Sequence, residues 1–431
     1  MKLSNYAWII KYENTYILYK SFHETSVVIE EPLKKLLELG DWQHLEYVHP
    51  TFYAYLVEKG FLVNDDIDES KAVIAEWEDE DTDKSVYTIT VNPTMDCNMR
   101  CWYCYEDHIK GSAMNDSTLH SLMKLISKKI EDEKLKVIHL KFFGGEPLMY
   151  FHEIVSPLME EVKTLCCRYN KKYSISFTTN GFLLTEDMLD NLKNYETDYP
   201  ISFQISLDGN KTKHNKIKFL SKQKDTYSVI LNNLVSALYK GMFLRLRLNC
   251  TTQNVYSFVD VANELRILPD NLKKLVVVDP HQVWQDYKND NPEFREALIA
   301  IRKAFVDAGF FVKEDKKINP ERCYADKGDG CVINYNGDVF SCTARKFTEE
   351  NREGILSENG DVVWNERKDL RMQKRFGNTT CKKCTIYPLC HGKCSQYKLE
   401  TAGKNGCLCE YTQEEKERLI ISRIEFIINN H

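Results

Sequence analysis

Residues 86–104 read VYTITVNPTMDCNMRCWYC. The first six, Val86–Val91, are rich in β-branched side chains and predict a strand. Directly after it comes C-x3-C-x2-C, at Cys97, Cys101 and Cys104. Three thiolates can hold three irons of a [4Fe–4S] cluster and leave the fourth iron open, whereas a fully ligated cluster uses four cysteines. A zinc site on the same loop needs one more ligand, and His108 is near enough in sequence to supply it.

Further strands are predicted at Leu135–Phe143, Tyr173–Thr179, Ile201–Leu207, Phe243–Asn249 and Leu275–Val278. Helical stretches separate them. In one, Leu119, Leu122, Met123, Ile126 and Ile130 fall on a single face. Such βα repeats imply parallel strands with right-handed crossovers. An open, partial α/β barrel with its chemistry at the strand C-terminal ends is the natural closure. A doubly wound sheet also fits the alternation.

The chain has 431 residues, enough for two or three domains. Its net charge of −6 gives no reason to expect nucleic acid or an anionic membrane as a partner. No apolar run approaches the ~18 residues of a membrane span. The N-terminal patch is broken by Lys11 and Glu13 and so lacks a signal-peptide core. A cytoplasmic location is expected. The 15 cysteines are then anomalous, since a reducing compartment leaves metal binding or redox chemistry as their main uses. None precedes Cys97, and most of those after the first loop crowd between Cys323 and Cys409.

Upstream, Thr15–Tyr19 and Ser26–Ile29 read as strands. Glu31–Gly40 and Pro50–Lys59 read as helices, and Phe61–Val63 as a last strand, which together suggest a winged-helix unit. The acidic stretch from Asp65 to Asp83 suits a solvated linker. The expected domains are 1–75, 84–305 and 306–431. Beyond about residue 310 the chain is cysteine-rich and irregular, as when folding is organised by metal. It ends in a helix that Thr412 and Glu415 cap as a box, with Ile420, Ile424 and Ile428 as its apolar stripe.

The three-cysteine loop and the strand ends that follow resemble the radical S-adenosylmethionine (SAM) superfamily. That resemblance implies a partial (β/α)6, TIM-like barrel. It implies that the open iron binds the SAM methionyl group and that reductive cleavage yields a 5′-deoxyadenosyl radical that abstracts hydrogen from substrate. Tyr103 sits where the family places a residue beside the adenine. FFGGEP supplies Gly144, Gly145 and Glu146, similar to the family motif at the SAM amino group. TTNG supplies Asn180, SLDG supplies Ser206 and Asp208, and RLRLN supplies Arg247, at strand ends that line SAM in similar enzymes. In isolation each is also a plausible turn, or an ordinary arginine. Asp279, Gln282 and Trp284, after the sixth strand, read as loop residues or as residues facing substrate.

Cys323 is followed by thirteen residues, Gly337, four residues and Cys342; downstream comes Cys381-x2-Cys384-x5-Cys390-x3-Cys394, and then Cys409. These intervals resemble the SPASM extension of radical SAM enzymes, which implies two auxiliary [4Fe–4S] clusters and three in all. The resemblance assigns Cys323, Cys331, Cys342 and Cys394 to the first, and Cys381, Cys384, Cys390 and Cys409 to the second. Cys407 is the rival of Cys409. Cys166 and Cys250 read as buried core thiols.

SPASM enzymes mostly act on peptides and proteins. Residues 1–63 resemble the leader-recognition domain of ribosomal-peptide maturases, in which an extended leader adds a strand to a small sheet. Six basic against eight acidic residues there disfavour the other use of a winged helix, DNA binding. Thr343 stands where sulfatase maturases carry an Asp. The expected activity is therefore formation of a thioether or carbon–carbon crosslink in a precursor peptide, with a flavodoxin or ferredoxin as reductant. A sulfatase-maturase-like peptide dehydrogenase and a non-catalytic iron–sulfur peptide-binding or electron-transfer protein are the alternatives.

Overall fold

The computed structural model describes residues 1–196, 199–220, 225–289, 291–313, 322–401, 409 and 411–429. Their contacts divide the described chain into two compact units.

The larger unit holds residues 84–313 and 328–368. Its sheet contains β6 (Val86–Val91), β7 (Val137–Phe142), β8 (Lys172–Thr179), β9 (Ser202–Leu207), β10 (Phe243–Cys250) and β11 (Val276–Gln282). These pair in chain order, all parallel. No reversal of order interrupts them, so the doubly wound alternative, which needs a switch point, does not apply. The short β12 (Phe311–Val312) extends one edge in parallel. At the other edge β13 (Gly330–Ile333) pairs with β6, also in parallel, and leads into the antiparallel β14 (Asp338–Phe340), β15 (Gly354–Leu356) and β16 (Val362–Trp364). Residues 330–364, which the sequence groups with the cysteine-rich C-terminus, are thus continuous with the large sheet.

The strands alternate: one face is apolar and covered by helices, while the other carries polar and charged side chains such as Lys141, Ser176, Gln204 and Arg245. The helix Asp116–Glu131 shows how the apolar face is covered. The Asn115 side chain accepts from the Thr118 N–H at 2.8 Å, starting the helix. Leu119, Leu122, Ile126 and Ile130 are then buried in the common core with Ile138 and Leu140 of β7.

The smaller unit holds residues 1–83 with the described residues of 316–327 and 369–431. Here β1 (Lys2–Leu3) pairs with β5 (Leu62–Val63), and β2 (Ala7–Tyr12), β3 (Thr15–Lys20) and β4 (Thr25–Ile29) form an antiparallel meander. Helices Glu31–Leu39, Trp42–Val48 and Pro50–Glu58 cover it. The terminal helix, Gln413–Asn429, begins at the expected box: Thr412 N–H donates to Glu415 at 2.9 Å and Glu415 N–H to Thr412 at 3.2 Å. Ile420 and Ile424 bury against Ile10, Ile17 and Tyr19 of the meander. The side chain of Ile428 lies outside the described residues.

One expectation is corrected here. The acidic stretch is not a solvated linker, because Glu69–Glu80 is a helix. Asp68 caps it by accepting from the Ser70 N–H at 3.1 Å. Val73 and Trp77, one turn apart, are buried with Tyr6 and Tyr387. Val73 and Trp77 at i, i+4, with Ile74 beside them and Glu69 and Ser70 buried in the first turn, seat a helix whose outer face is acidic and solvated.

Candidate active site

The site lies at the C-terminal ends of β6–β9. The loop after β6 carries the three cysteines, and its entry is fixed by the glycines after β7. Gly145 N–H donates to Thr94 O at 3.0 Å and Glu146 N–H to Asp96 O at 2.8 Å. A Cβ on Gly145 would overlap the Asp96 carbonyl, and one on Gly144, whose φ is +102°, would press on the Thr94 carbonyl. Only glycines allow the two backbones to approach so closely.

Glu146 is fully buried and braces the next strand end. Its carboxylate accepts from Thr179 Oγ1 (2.7 Å), Asn180 N–H (2.8 Å) and Leu148 N–H (3.1 Å). Burial raises its pKa, and these donors oppose the shift. Asn180 then reaches the cysteine loop, its Nδ2 donating to Asn98 Oδ1 at 2.7 Å. Asp96, which sequence reading did not single out, closes the loop. It accepts from Cys97 N–H and Gly111 N–H, both at 2.8 Å, and pairs with Arg100 at 3.0 Å.

Tyr103 joins the loop to β9 and β10. Its hydroxyl donates to Asp208 Oδ1 at 2.6 Å and accepts from Asn249 Nδ2 at 3.0 Å. Burial, and then the Asp208 charge, hold the phenol well above its ordinary pKa. Ser206 Oγ accepts from Lys218 Nζ at 2.6 Å. Arg247 is half-buried, 3.4 Å from Asn249 Oδ1 and 4.0 Å from Asp279, whose main partner is Arg245. Trp284 packs its ring 5.4 Å from that of Tyr105, and Gln282 donates to Asp286 O at 3.4 Å. The structure thus brings Gly144, Gly145, Glu146, Asn180, Tyr103 and Asp208 into one hydrogen-bonded frame around the loop, with Ser206 attached through Lys218.

Burial pushes the Cys97 thiol up to about 12 and the Cys101 thiol up to about 11, and also raises Cys104. A metal bound by these thiols would have to displace their protons. Among the described residues no three His, Cys, Asp or Glu side chains converge tightly enough for a single ion. A tetrahedral zinc with ~2.3 Å bonds needs its ligands about 4 Å apart, whereas a cluster takes one thiolate per iron. His108 Nε2 lies 3.4 Å from Cys104 Sγ.

Of the remaining cysteines, Cys381, Cys384, Cys390 and Cys409 line one cavity of about 360 Å³ in the smaller unit, with Ile386, Tyr411 and Lys416. A hydrogen bond from Cys390 raises that thiol and lowers Cys409 to about 7. This donor set fits a four-thiolate cluster. Cys407 lies outside the described residues. Cys323 and Cys394 belong to the smaller unit. Cys331 and Cys342 belong to the larger one, where Cys331 is buried on β13 and accepts from Tyr87 OH at 3.6 Å. Cys166 and Cys250 are buried in the core, as expected of structural thiols.

Residues 91–243 match the model of the radical SAM superfamily. The chain is 26% identical, over 73% of its length and 89% of the relative's, to a cysteine-type anaerobic sulfatase-maturating enzyme of Clostridium novyi. It is 25% identical, over 91% of its length and 89% of the relative's, to the radical SAM cyclopropyl synthase TigE of Paramaledivibacter caminithermalis. Among solved structures it is similar to native anSMEcpe with bound AdoMet and Kp18Cys peptide, with TM-score 0.58, 18% identity, and coverage of 80% of this chain and 100% of that one. It is also similar to Streptococcus suis SuiB bound to precursor peptide SuiA, with TM-score 0.52, 13% identity, and coverage of 95% and 100%. At these identities the structural likeness establishes the fold. Among the described residues, no helix is long and apolar enough to cross a membrane.

Proposed function

On the premise that residues 91–243 form a radical SAM domain, we propose that this chain matures a ribosomally made precursor peptide by forming a thioether or carbon–carbon crosslink. The observation that carries the peptide reading is in the smaller unit. β4 is the last strand of its meander, and among the described residues it pairs only with β3. Beside it lies a groove of about 500 Å³ lined by Val27, Val48, Pro50, Phe52 and Tyr55. An extended leader can add its backbone to β4 and place alternate side chains in the groove. The precursor peptide bound to SuiB supports a peptide substrate.

Along the chain, residues 1–75 would bind leader, 84–305 would hold SAM and the first cluster, and 306–431 would carry two auxiliary clusters. The cluster at Cys97, Cys101 and Cys104 would supply the electron that cleaves SAM. Tyr103, Gly144, Gly145, Glu146, Asn180, Ser206, Asp208 and Arg247 would present backbone and polar groups to SAM, with Tyr103 also fixing the loop and Glu146 also holding two strand ends together. Cys323, Cys331, Cys342 and Cys394 would hold one auxiliary cluster, and Cys381, Cys384, Cys390 and Cys409 the other. A flavodoxin or ferredoxin would be the reductant. The cytoplasm is the fitting compartment, and neither nucleic acid nor membrane is a partner.

A crosslink removes two hydrogens, one by abstraction and one as a proton whose electron an oxidised auxiliary cluster would accept. Anaerobic turnover of a short precursor encoded beside this chain should therefore give a product lighter by about 2 Da, with tandem spectra interrupted at the bridge. Val48→Asp, a change at an exposed residue of that groove, should weaken formation of that product and spare unproductive SAM cleavage. The match to a sulfatase-maturating enzyme favours a second reading, peptide dehydrogenation. A 2 Da loss without a bridge would select it, and a gain of one methyl group would reject both.

A further inference from the structure

The radical SAM reading leaves one buried cation at the site without a role. Lys218 follows the helix Lys211–Ile217 and is only 2% exposed. Its Nζ donates to Ser206 O at 2.7 Å and Ser206 Oγ at 2.6 Å, and lies 3.2 Å from Asp208 Oδ2. Its backbone is held too: its N–H donates to His214 O at 2.8 Å, and its carbonyl accepts from Thr226. The other oxygen of Asp208 takes the Tyr103 hydroxyl, and Tyr103 stands between Cys101 and Cys104. Lysine, aspartate and tyrosine therefore form a continuous chain from the end of β9 into the cysteine loop.

This chain brings charge to the edge of the loop. Lys218 and Asp208 are 2% and 0% exposed, and Asp208 is one hydrogen bond from Tyr103, the residue between Cys101 and Cys104. Two charges of opposite sign, both out of water, thus stand paired beside the cysteine loop. A buried charge left alone at this place would act strongly, because little solvent screens it.

We propose that Lys218 is the positioning and charge-setting residue of the cysteine-loop cluster: it neutralises Asp208, holds the Tyr103 arm in place, and raises the potential at which the cluster takes up its electron. The inference rests on the radical SAM reading. A reduced cluster carries one more negative charge than an oxidised one, so net charge nearby moves its potential directly. Lys218→Met leaves a net negative charge and disfavours reduction. Asp208→Asn leaves a net positive charge and favours it. The pair together restores balance.

The test is a potentiometric titration of the full chain, reconstituted anaerobically without SAM and read by electron paramagnetic resonance. Samples are matched for iron content, and the cysteine-loop signal is identified by its change on adding SAM. Lys218→Met should move the midpoint to more negative potential and Asp208→Asn to more positive, with the double variant close to the unaltered protein and Lys218→Arg unshifted. A merely structural role would move both single variants the same way, or neither, and would overturn the proposal. A difference seen only after SAM is added would also overturn it, assigning Lys218 to the SAM carboxylate instead. If Lys218→Met fails to take up iron, the sign of the Asp208→Asn shift decides alone. Absence of any SAM-sensitive signal in the unaltered protein would instead sink the radical SAM reading itself.

Discussion

The hydroxyl of Tyr103 donates a 2.6 Å hydrogen bond to Asp208, tying the middle of the cysteine loop to the end of β9, 105 residues away in sequence. This bond converts a mobile-looking C-x3-C-x2-C segment into part of the sheet's rigid rim. Removing the donor leaves a carboxylate oxygen buried with one partner fewer, a loss of about 1–3 kcal/mol. Tyr103→Phe should lower stability by that amount in denaturant unfolding of the anaerobic protein. A change within about 0.5 kcal/mol, typical of a surface site, would mean that the bond does not bear on the fold.

Gly145 is the tighter of the two glycines, since any Cβ there meets Asp96 backbone rather than a flexible side chain. Gly145→Ala should force the cysteine loop away from β7 and lower iron uptake at that loop. Gly111→Ala is the control. Gly111 has φ +73° and open space around it, so the change should cost only about 1 kcal/mol of conformational strain. Equal iron content in the two variants would contradict the steric account.

His214, fully buried beside Asp208, accepts from the Asp208 N–H at 3.3 Å, and burial lowers its pKa to about 4. A depressed histidine pKa means that the unfolded chain binds the proton first. Stability from this group is complete above the unfolded value near 6.5 and drains away as pH falls toward 4. The loss approaches about 3 kcal/mol at about 1.4 kcal/mol per pH unit. His214→Gln keeps an acceptor and should flatten that part of the stability–pH curve between pH 6.5 and 4. An unchanged slope would show that His214 is not the group titrating.

Cys409 lines the same cavity as Cys381, Cys384 and Cys390. Cys409→Ala should therefore cost about four irons per chain after reconstitution, and Cys407→Ala none. The reverse result would transfer the ligand role to Cys407.

How much of this was legible in the sequence depends on the kind of contact. The six parallel strands were read to within a residue or two at nearly every end, because each alternates or runs apolar between clear turn signals. The sixth, Val276–Gln282, runs on past the expected Val278 through Asp279, Pro280 and His281, which carry no strand signal. The glycines at 144 and 145 declared a close approach, but not that Thr94–Asp96 would be the backbone approached. The GGE motif marks Glu146 as a candidate residue without showing that its carboxylate also takes hydrogen bonds from Leu148, Thr179 and Asn180.

Lys218 and Asp96 carried no signal at all. Each is a single charged residue in a polar stretch, and only the fold reveals that one is buried against Asp208 and the other anchors the cysteine loop. The helices Trp42–Val48 and Glu69–Glu80 were missed for a related reason. Both are short or strongly charged, and both are held by a few buried side chains that composition averages away.

The central claim, that Cys97, Cys101 and Cys104 hold the cluster that cleaves SAM, is tested most directly by replacing all three with Ala and measuring iron and 5′-deoxyadenosine together. The unaltered chain should take up about twelve irons and release 5′-deoxyadenosine when reduced with SAM present; the triple variant should keep about eight irons and release none. Unchanged iron, or continued 5′-deoxyadenosine formation by the variant, would contradict the assignment.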